Sequence, residues 1–330
     1  MIWWGATAGK AMSIRDDPAM RAEEAAPLSC PSPGTAGEGV RFSMSGESSD
    51  RKPRSSLRQL PQAGRRREDE KLSAVLGRMR YKIFVMSGKG GVGKSSVSVN
   101  LAVALSEMGF RTGLLDVDMH GPSVPHLLGI SENIRSRVEN SLLIPVRARE
   151  NLLVLSLDIL LQDREQAIIW RGPKKAGIIR QLLADAAWGD LDFLFVDSPP
   201  GTGDEHLNVL RMIPDAFCLV VSTPQAVALA DVRKSINFLK LMRAKIFGIV
   251  ENMGSFRCPH CGGTIVPPAR DGVRELARQA GISFLGSIPF DGEAAMAADK
   301  GRPAVSLPQG NPAGAAFHAL AEYIKETLSG

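Results

Sequence analysis

The segment Ser87-Gly-Lys-Gly-Gly-Val-Gly-Lys-Ser-Ser96 fills the pattern G-x-x-x-x-G-K-[ST] with Gly88, Gly93, Lys94 and Ser95. Before it, Lys82-Ile-Phe-Val-Met86 is an apolar run of strand length. After it, Val97, Leu101, Ala104, Leu105 and Met108 recur at helical spacing and predict a helix over Lys94–Met108. Strand, glycine-rich loop and helix N-terminus in that order are the context of a phosphate-binding loop.

Each residue type there has a physical task. Backbone N–H groups from Gly88 through Ser96, those of Lys89, Gly90, Gly91 and Val92 included, can turn inward around an anion because the glycines bring no Cβ clash. The helix N-terminus adds partial positive charge, Lys94 reaches the terminal phosphates and Ser95 ligates Mg²⁺. Gly88, Gly90 and Gly93 also spell G-x-G-x-x-G, the dinucleotide-binding fingerprint. The adjacent Lys94-Ser95 pair argues against that reading, since a cation and a hydroxyl suit a triphosphate with magnesium. Lys89 is a second lysine at a position where most such loops carry no charge.

Working outward, the composition fits one large α/β domain behind a tail. The chain has 330 residues and is 44% hydrophobic, enough for a sizeable core. Residues 1 to 80 hold 14 Lys+Arg and 10 Asp+Glu, which leaves 26 and 25 for the remainder, so the net charge of +5 divides as +4 and +1. The pI near 9.1 is therefore mostly a property of the tail, and no nucleic-acid footprint on the folded part is indicated. That stretch is rich in Ser, Pro, Gly and Arg, with Arg65-Arg66-Arg67, and is expected to be a disordered basic tail ahead of a folded domain over 81–330. Ile2-Trp3-Trp4 is too short for a signal-peptide core, and Asp16-Asp17 disfavours a mitochondrial presequence. No apolar run approaches the ~18 residues of a membrane span, so a cytoplasmic location without membrane attachment is expected.

Beyond the loop, Thr112–Asp118, Leu152–Ser156, Asp192–Asp197, Ala216–Ser222, Lys245–Val250 and Phe284–Ile288 are short, nearly continuous apolar runs. Such runs belong to strands covered on both faces, hence a mostly parallel sheet with helices on both sides. Several end in polar residues, Asp116, Asp118, Asp197, Ser222 and Asn252, which are expected to converge beyond the carboxyl ends of the strands. If the strand continues through Asp118, its carboxylate and that of Asp116 face the same side, toward the loop. Asp197, followed by the turn Ser198-Pro-Pro-Gly-Thr-Gly-Asp204, can hold Mg²⁺ through water, and Gly201 can offer its N–H to the γ-phosphate. Asp116 and Asp204 are as readily read as turn formers or helix caps.

The chain resembles the deviant Walker A group of P-loop NTPases, which includes MinD-like positioning ATPases and the nitrogenase iron protein. Within it, four segments look like those of the Mrp/ApbC iron-sulfur cluster carriers: Asp116-Val-Asp-Met-His-Gly-Pro-Ser-Val-Pro125, Trp170-Arg-Gly-Pro173, Val196-Asp-Ser-Pro-Pro-Gly-Thr-Gly-Asp204 and Glu251-Asn-Met-Gly-Ser-Phe-Arg-Cys-Pro-His-Cys261. The resemblance spans about Lys82 to the C-terminus. It implies that Lys89 reaches across a homodimer to the partner's ATP, that Asp118 lies near the attacking water, and that Asn252 reads adenine. It also implies a slow ATP hydrolase that hands its cluster to apo iron-sulfur proteins and works with a cluster assembly scaffold. Unlike many members, this chain has a low-complexity segment with one cysteine, Cys30, ahead of the loop.

Cys258-Pro-His-Cys261 supplies two thiolates, whereas a [4Fe-4S] cluster normally takes four. Cys218 sits in an apolar run and reads as a small core residue. Two protomers each donating Cys258 and Cys261 to one bridging cluster would complete the set. By spacing alone a dimer-bridging zinc site or a redox pair is equally open, and the iron-sulfur reading comes from the resemblance. A MinD/ParA-like switch without metal is the alternative of another class. The terminal face Phe317, Leu320, Ala321, Ile324 and Leu328, opposite Glu322, Lys325 and Glu326, reads as a helix packed on its own domain.

Overall fold

The apolar run before the glycine-rich loop becomes the middle of a sheet because it is apolar on both sides. Along it, Ile83 and Val85 face one hydrophobic core while Phe84 and Met86 face another. The computed structural model describes residues 62–329 apart from 120, 132, 133, 135, 161–171, 259 and 267–270. Cys30 and Trp170, and the expectation of disorder over residues 1–61, lie outside the described residues.

In chain order the elements are α1 (Gln62–Leu76), β1 (Met79–Ser87), α2 (Lys94–Glu107), β2 (Thr112–Asp116), α3 (Val124–Leu127), β3 (Arg137–Glu139), β4 (Leu142–Ile144), β5 (Val146–Arg149), β6 (Leu152–Ser156), α4 (Leu157–Leu160), α5 (Gly172–Ala184), β7 (Leu191–Asp197), α6 (Asp204–Met212), β8 (Phe217–Ser222), α7 (Ala226–Leu241), β9 (Lys245–Arg257), β10 (Thr264–Ile265), α8 (Gly272–Ala280), β11 (Phe284–Phe290), α9 (Gly292–Ala298) and α10 (Pro312–Ser329). Strands β11, β9, β8, β1, β7, β2 and β6 run parallel in that spatial order, with β5 added antiparallel to β6 and β10 antiparallel to the distal part of β9. The two cores are packed on the sheet's opposite faces, so the mostly parallel α/β reading holds.

The order β1, β7, β2 is what builds a site. The chain leaves β1 for β2 but later returns to insert β7 between them, so the exits of all three strands lie side by side. Ligands of open α/β sheets bind in such a crevice at the carboxyl ends.

Helix α2 starts at Lys94 as its spacing predicts. It is buried nearly all round, from Val97 through Ser106, because α10 packs across the side turned away from the sheet. On α10 the predicted face is the buried one, with Phe317, Leu320, Ala321 and Ile324 inside. Each such side chain removed from water contributes about 1.5–3 kcal/mol.

The domain boundary differs from the compositional reading. Residues assigned to the basic tail form α1 and the start of β1, so ordered structure begins before residue 81. Leu72 and Leu76 are buried, and the Lys82 ammonium, itself buried, donates to the carbonyl oxygens of Leu76 at 3.3 Å and Met79 at 2.9 Å and pairs with Asp215 at 2.7 Å. A cation at the C-terminus of α1 satisfies carbonyls that the helix leaves unpaired. Ion pairs Lys71–Asp185 at 2.5 Å and Asp69–Arg180 at 2.7 Å add the contact with α5. Two buried leucines in a field of exposed charge give a weak amphipathic signal, which composition obscures.

Candidate functional site

The glycine-rich loop leaves β1 and enters α2 through a left-handed residue, Gly93, at φ 81°. A Cβ there would run into the side-chain amide of Asn252, so glycine is required both for conformation and for close approach. The loop and the exits of β2 and β7 enclose a cavity of about 360 Å³ bounded by Lys89 through Ser96, Asp118, Gly121, Ser123 and Pro200. Lys89 is exposed at its rim, its carbonyl oxygen accepts the Ser87 hydroxyl at 3.0 Å, and its ammonium makes no hydrogen bond or ion pair among the described residues.

At the floor lies a buried polar cluster. Lys94 Nζ stands 2.8 Å from Asp197 Oδ1, and the hydroxyls of Ser95 and Ser98 donate to the same carboxylate at 2.6 and 2.7 Å. Asp197 is fully buried, and its charge is tolerated because a cation and two donors meet it. Ser98 follows Lys94 by one helical turn, which puts both on one face of α2, a role the sequence reading missed. With Ser95 and Asp197 in contact, the hydroxyl and carboxylate form an oxygen donor set that would suit Mg²⁺.

The two aspartates of the β2 exit do not share a face. The strand stops at Asp116, which is buried, whereas Asp118 is part-exposed at the cavity and accepts the Gly121 N–H at 3.3 Å. Burial, and next to it the Asp197 charge, push the Asp116 carboxyl up to about 8. Asp118 is therefore at the cavity as anticipated, and Asp116 is directed inward against that expectation.

Two other residues are engaged differently from the anticipated way. The Gly201 N–H donates to the Ser87 carbonyl at 3.0 Å, so it ties the β7 exit to the loop and does not point at a phosphate. The Asn252 amide donates to the Val92 carbonyl at 2.9 Å. Asn252 also borders an apolar cleft of about 120 Å³ with Pro289, Phe290 and Phe317. Ser222 is buried, donates to the Thr223 carbonyl and does not join the cavity. Neighbouring His206 on α6 went unremarked in the sequence. It is fully buried edge-on to Phe84, its ring nitrogens meet no partner within hydrogen-bond criteria among the described residues, and burial pulls it down to about 4.

A larger cleft, about 520 Å³, lies between α1 and α6 at the opposite ends of the strands. Its Lys82 and Arg180 are already paired with Asp215 and Asp69, so it has the chemistry of a packing seam and not of a catalytic pocket.

Strand β9 outruns its apolar core and carries the chain to the second site. Cys258 N–H donates to the Gly263 carbonyl at 2.8 Å, and Gly262 N–H donates to the Cys258 carbonyl at 2.9 Å, closing a tight turn. A Cβ on Gly263 would come within 3.3 Å of the Cys261 sulfur, so glycine leaves that sulfur its space. N–H groups of Cys261 and then His260 aimed at the Cys258 sulfur lower its pKa below the ordinary thiol value. Cys261 and His260 are exposed. Among the described residues no group of three or more His, Cys, Asp or Glu could hold a metal ion within one chain, and the turn offers two thiols, Cys258 and Cys261. Cys218 is a buried core thiol pushed up to about 12 by burial. His126 is exposed on α3, and His120 lies outside the described residues.

The fold and the cavity define a P-loop nucleoside triphosphatase. Residues 78–325 match the model of the ParA family described as NUBPL iron-transfer P-loop NTPases, and the chain belongs to that family. It is 44% identical over 241 residues to an iron-sulfur cluster carrier protein of Methanocaldococcus jannaschii, covering 73% of this chain and 83% of that one. It is 42% identical over 253 residues to the human cytosolic Fe-S cluster assembly factor NUBP2, covering 76% and 93%. A solved nucleotide-binding protein of Archaeoglobus fulgidus in complex with ADP is similar at 38% identity and a TM-score of 0.64, covering 74% of this chain and 97% of the other. The Pyrococcus furiosus cell division ATPase MinD shares the fold at 24% identity and a TM-score of 0.56, covering 76% and 100%.

Proposed function

We propose that this chain is a slow, magnesium-dependent ATPase that acts as a homodimer, holds a [4Fe-4S] cargo on Cys258 and Cys261 of both copies and delivers it to apo-proteins. The observation that carries this reading is the pair of free thiols on the turn that follows β9, the strand that also braces the nucleotide cavity, in a chain of an iron-transfer family. Two thiols on a tight turn with donors on the Cys258 sulfur suit a soft metal centre, and a second copy doubles them to the four that a cluster takes.

At the nucleotide, the loop N–H groups and Lys94 hold the phosphates, Ser95 and Asp197 hold Mg²⁺, and the cleft beside Asn252 takes the base. Bound magnesium would neutralise charge on the phosphates. Asp118 orients the attacking water. No stronger base borders the cavity among the described residues, which accords with slow turnover and a timing role for hydrolysis. Lys89, exposed at the rim, is placed to enter the other copy's cavity and stabilise phosphate charge from outside, much as an arginine finger does.

Among the described residues no helix is long and apolar enough to cross a membrane. The cytosolic description of the human relative supports a cytoplasmic place of action. Anaerobic reconstitution with iron and sulfide tests the cargo. The expected result is a broad visible absorbance that disappears in Cys258→Ala, while a colourless protein containing zinc, or containing no metal, would overturn the reading.

A further inference from the structure

Asp116 is a carboxylate in a costly place. It is 1% exposed, its backbone is paired in register with the equally buried Asp197, and the nearby Lys94 ammonium is engaged by Asp197. A buried carboxyl beside a like group is tolerated only where its acceptors are used. Here three donors meet it, and they come from different parts of the chain. Oδ1 accepts the Asp118 N–H at 3.0 Å, and Oδ2 accepts the Ser156 hydroxyl at 3.2 Å and the Val124 N–H at 3.4 Å.

The first bond alone would be unremarkable, since an aspartate accepting from the residue two ahead is an ordinary turn former. The others are not local. Val124 opens α3, at the far end of the loop that carries Asp118 and Gly121 over the nucleotide cavity, and Ser156 ends the neighbouring strand β6. One side chain thus grips both ends of that loop and anchors it to the sheet. Serine or asparagine could form the local turn without burying a carboxyl, but each has only one side-chain acceptor atom, so neither can use separate oxygens for the two ends.

We infer that Asp116 is a positioning residue for ATP hydrolysis: by binding Asp118 N–H with one oxygen and Val124 N–H and Ser156 with the other, it holds Asp118 at the attacking-water side of the cavity. This rests on the ATPase reading above. Asp116 itself does not border the cavity, so nucleotide affinity, set by the glycine-rich loop, is largely independent of it.

The test compares wild type with Asp116→Asn and Asp116→Ala, using single-turnover ATP hydrolysis, binding of a fluorescent ADP analogue and hydrogen exchange of the peptide spanning 117–127. The inference predicts a kcat at least tenfold lower in Asp116→Asn, an affinity for the analogue within threefold of wild type, an unchanged melting temperature and faster exchange of that peptide. Asp116→Ala is expected to be more severe in kcat and exchange. A wild-type kcat in Asp116→Asn, or equal losses of kcat and affinity, would overturn it. If wild type itself fails to hydrolyse ATP, the ATPase reading falls, and unchanged exchange in the variant then counts separately against the grip on the loop.

Discussion

The side-chain amide of Asn252 donates to the carbonyl oxygen of Val92 at 2.9 Å, which joins strand β9 to the glycine-rich loop in the buried interior of the domain. The same strand runs on to Arg257 and delivers Cys258 to its turn. This connection predicts that movement of the loop around phosphates reaches the cysteine turn along the strand. Adding ATP and magnesium to the metal-free protein is expected to slow hydrogen exchange of the peptide spanning 254–263, and Asn252→Ala is expected to abolish that response. Exchange indifferent to nucleotide would remove the link between the two sites.

The two lysines of the loop have opposite environments and should fail differently. Lys94 is buried against Asp197, so Lys94→Ala loses phosphate binding and also strands a buried carboxylate, at a cost of about 3–5 kcal/mol. Isothermal titration with ATP and a thermal melt should both register the change. The Lys89 side chain is exposed and its ammonium has no partner among the described residues, so Lys89→Ala should melt like wild type, bind ATP and lose hydrolysis. Normal turnover in that variant would argue against a role in trans.

Cys258 should be the reactive thiol of metal-free protein. Donors from Cys261 and His260 favour its thiolate, and the thiolate is the nucleophile. Its alkylation by iodoacetamide, followed by peptide mass mapping against pH, is expected to reach half-maximal rate below about pH 8.5, the midpoint of an ordinary free thiol. A midpoint at or above that value would contradict the turn geometry.

His206 makes the fold acid-sensitive. Its pKa is lowered to about 4 in the folded protein by burial, while the unfolded chain binds a proton near the ordinary value of 6.5. Stability from this group is therefore fully present above pH 6.5 and is lost as pH falls through 4, a swing of about 3 kcal/mol. Urea denaturation between these limits should show a shallower pH dependence in His206→Phe. Parallel curves for the two proteins would show that the imidazole is not the cause.

The loop, the parallel sheet and the cysteine pair were legible because each rests on short-range pattern: glycine spacing, apolar runs and C-x-x-C. Side-chain direction at the strand exits was not. Asp116 and Asp118 look equivalent in sequence, yet β2 ends between them, and the chain's turn sends one inward and the other to the cavity. Ser156 and Ser98 acquire partners only when β6 and α2 are brought beside β2 and β7, which no local window contains. Helix α1 was hidden by its charge, and the continuation of β9 beyond Val250 by polar residues that pair with β11 and β10.

Mass spectrometry of the intact assembly, sprayed anaerobically from a volatile buffer after reconstitution with iron and sulfide in the presence of ATP, weighs the subunits and their cargo in one reading. The account predicts two chains sharing a single [4Fe-4S] cluster, and two chains without it when Cys261→Ala is substituted. A single chain carrying its own metal, or a pair bridged by zinc, would contradict it.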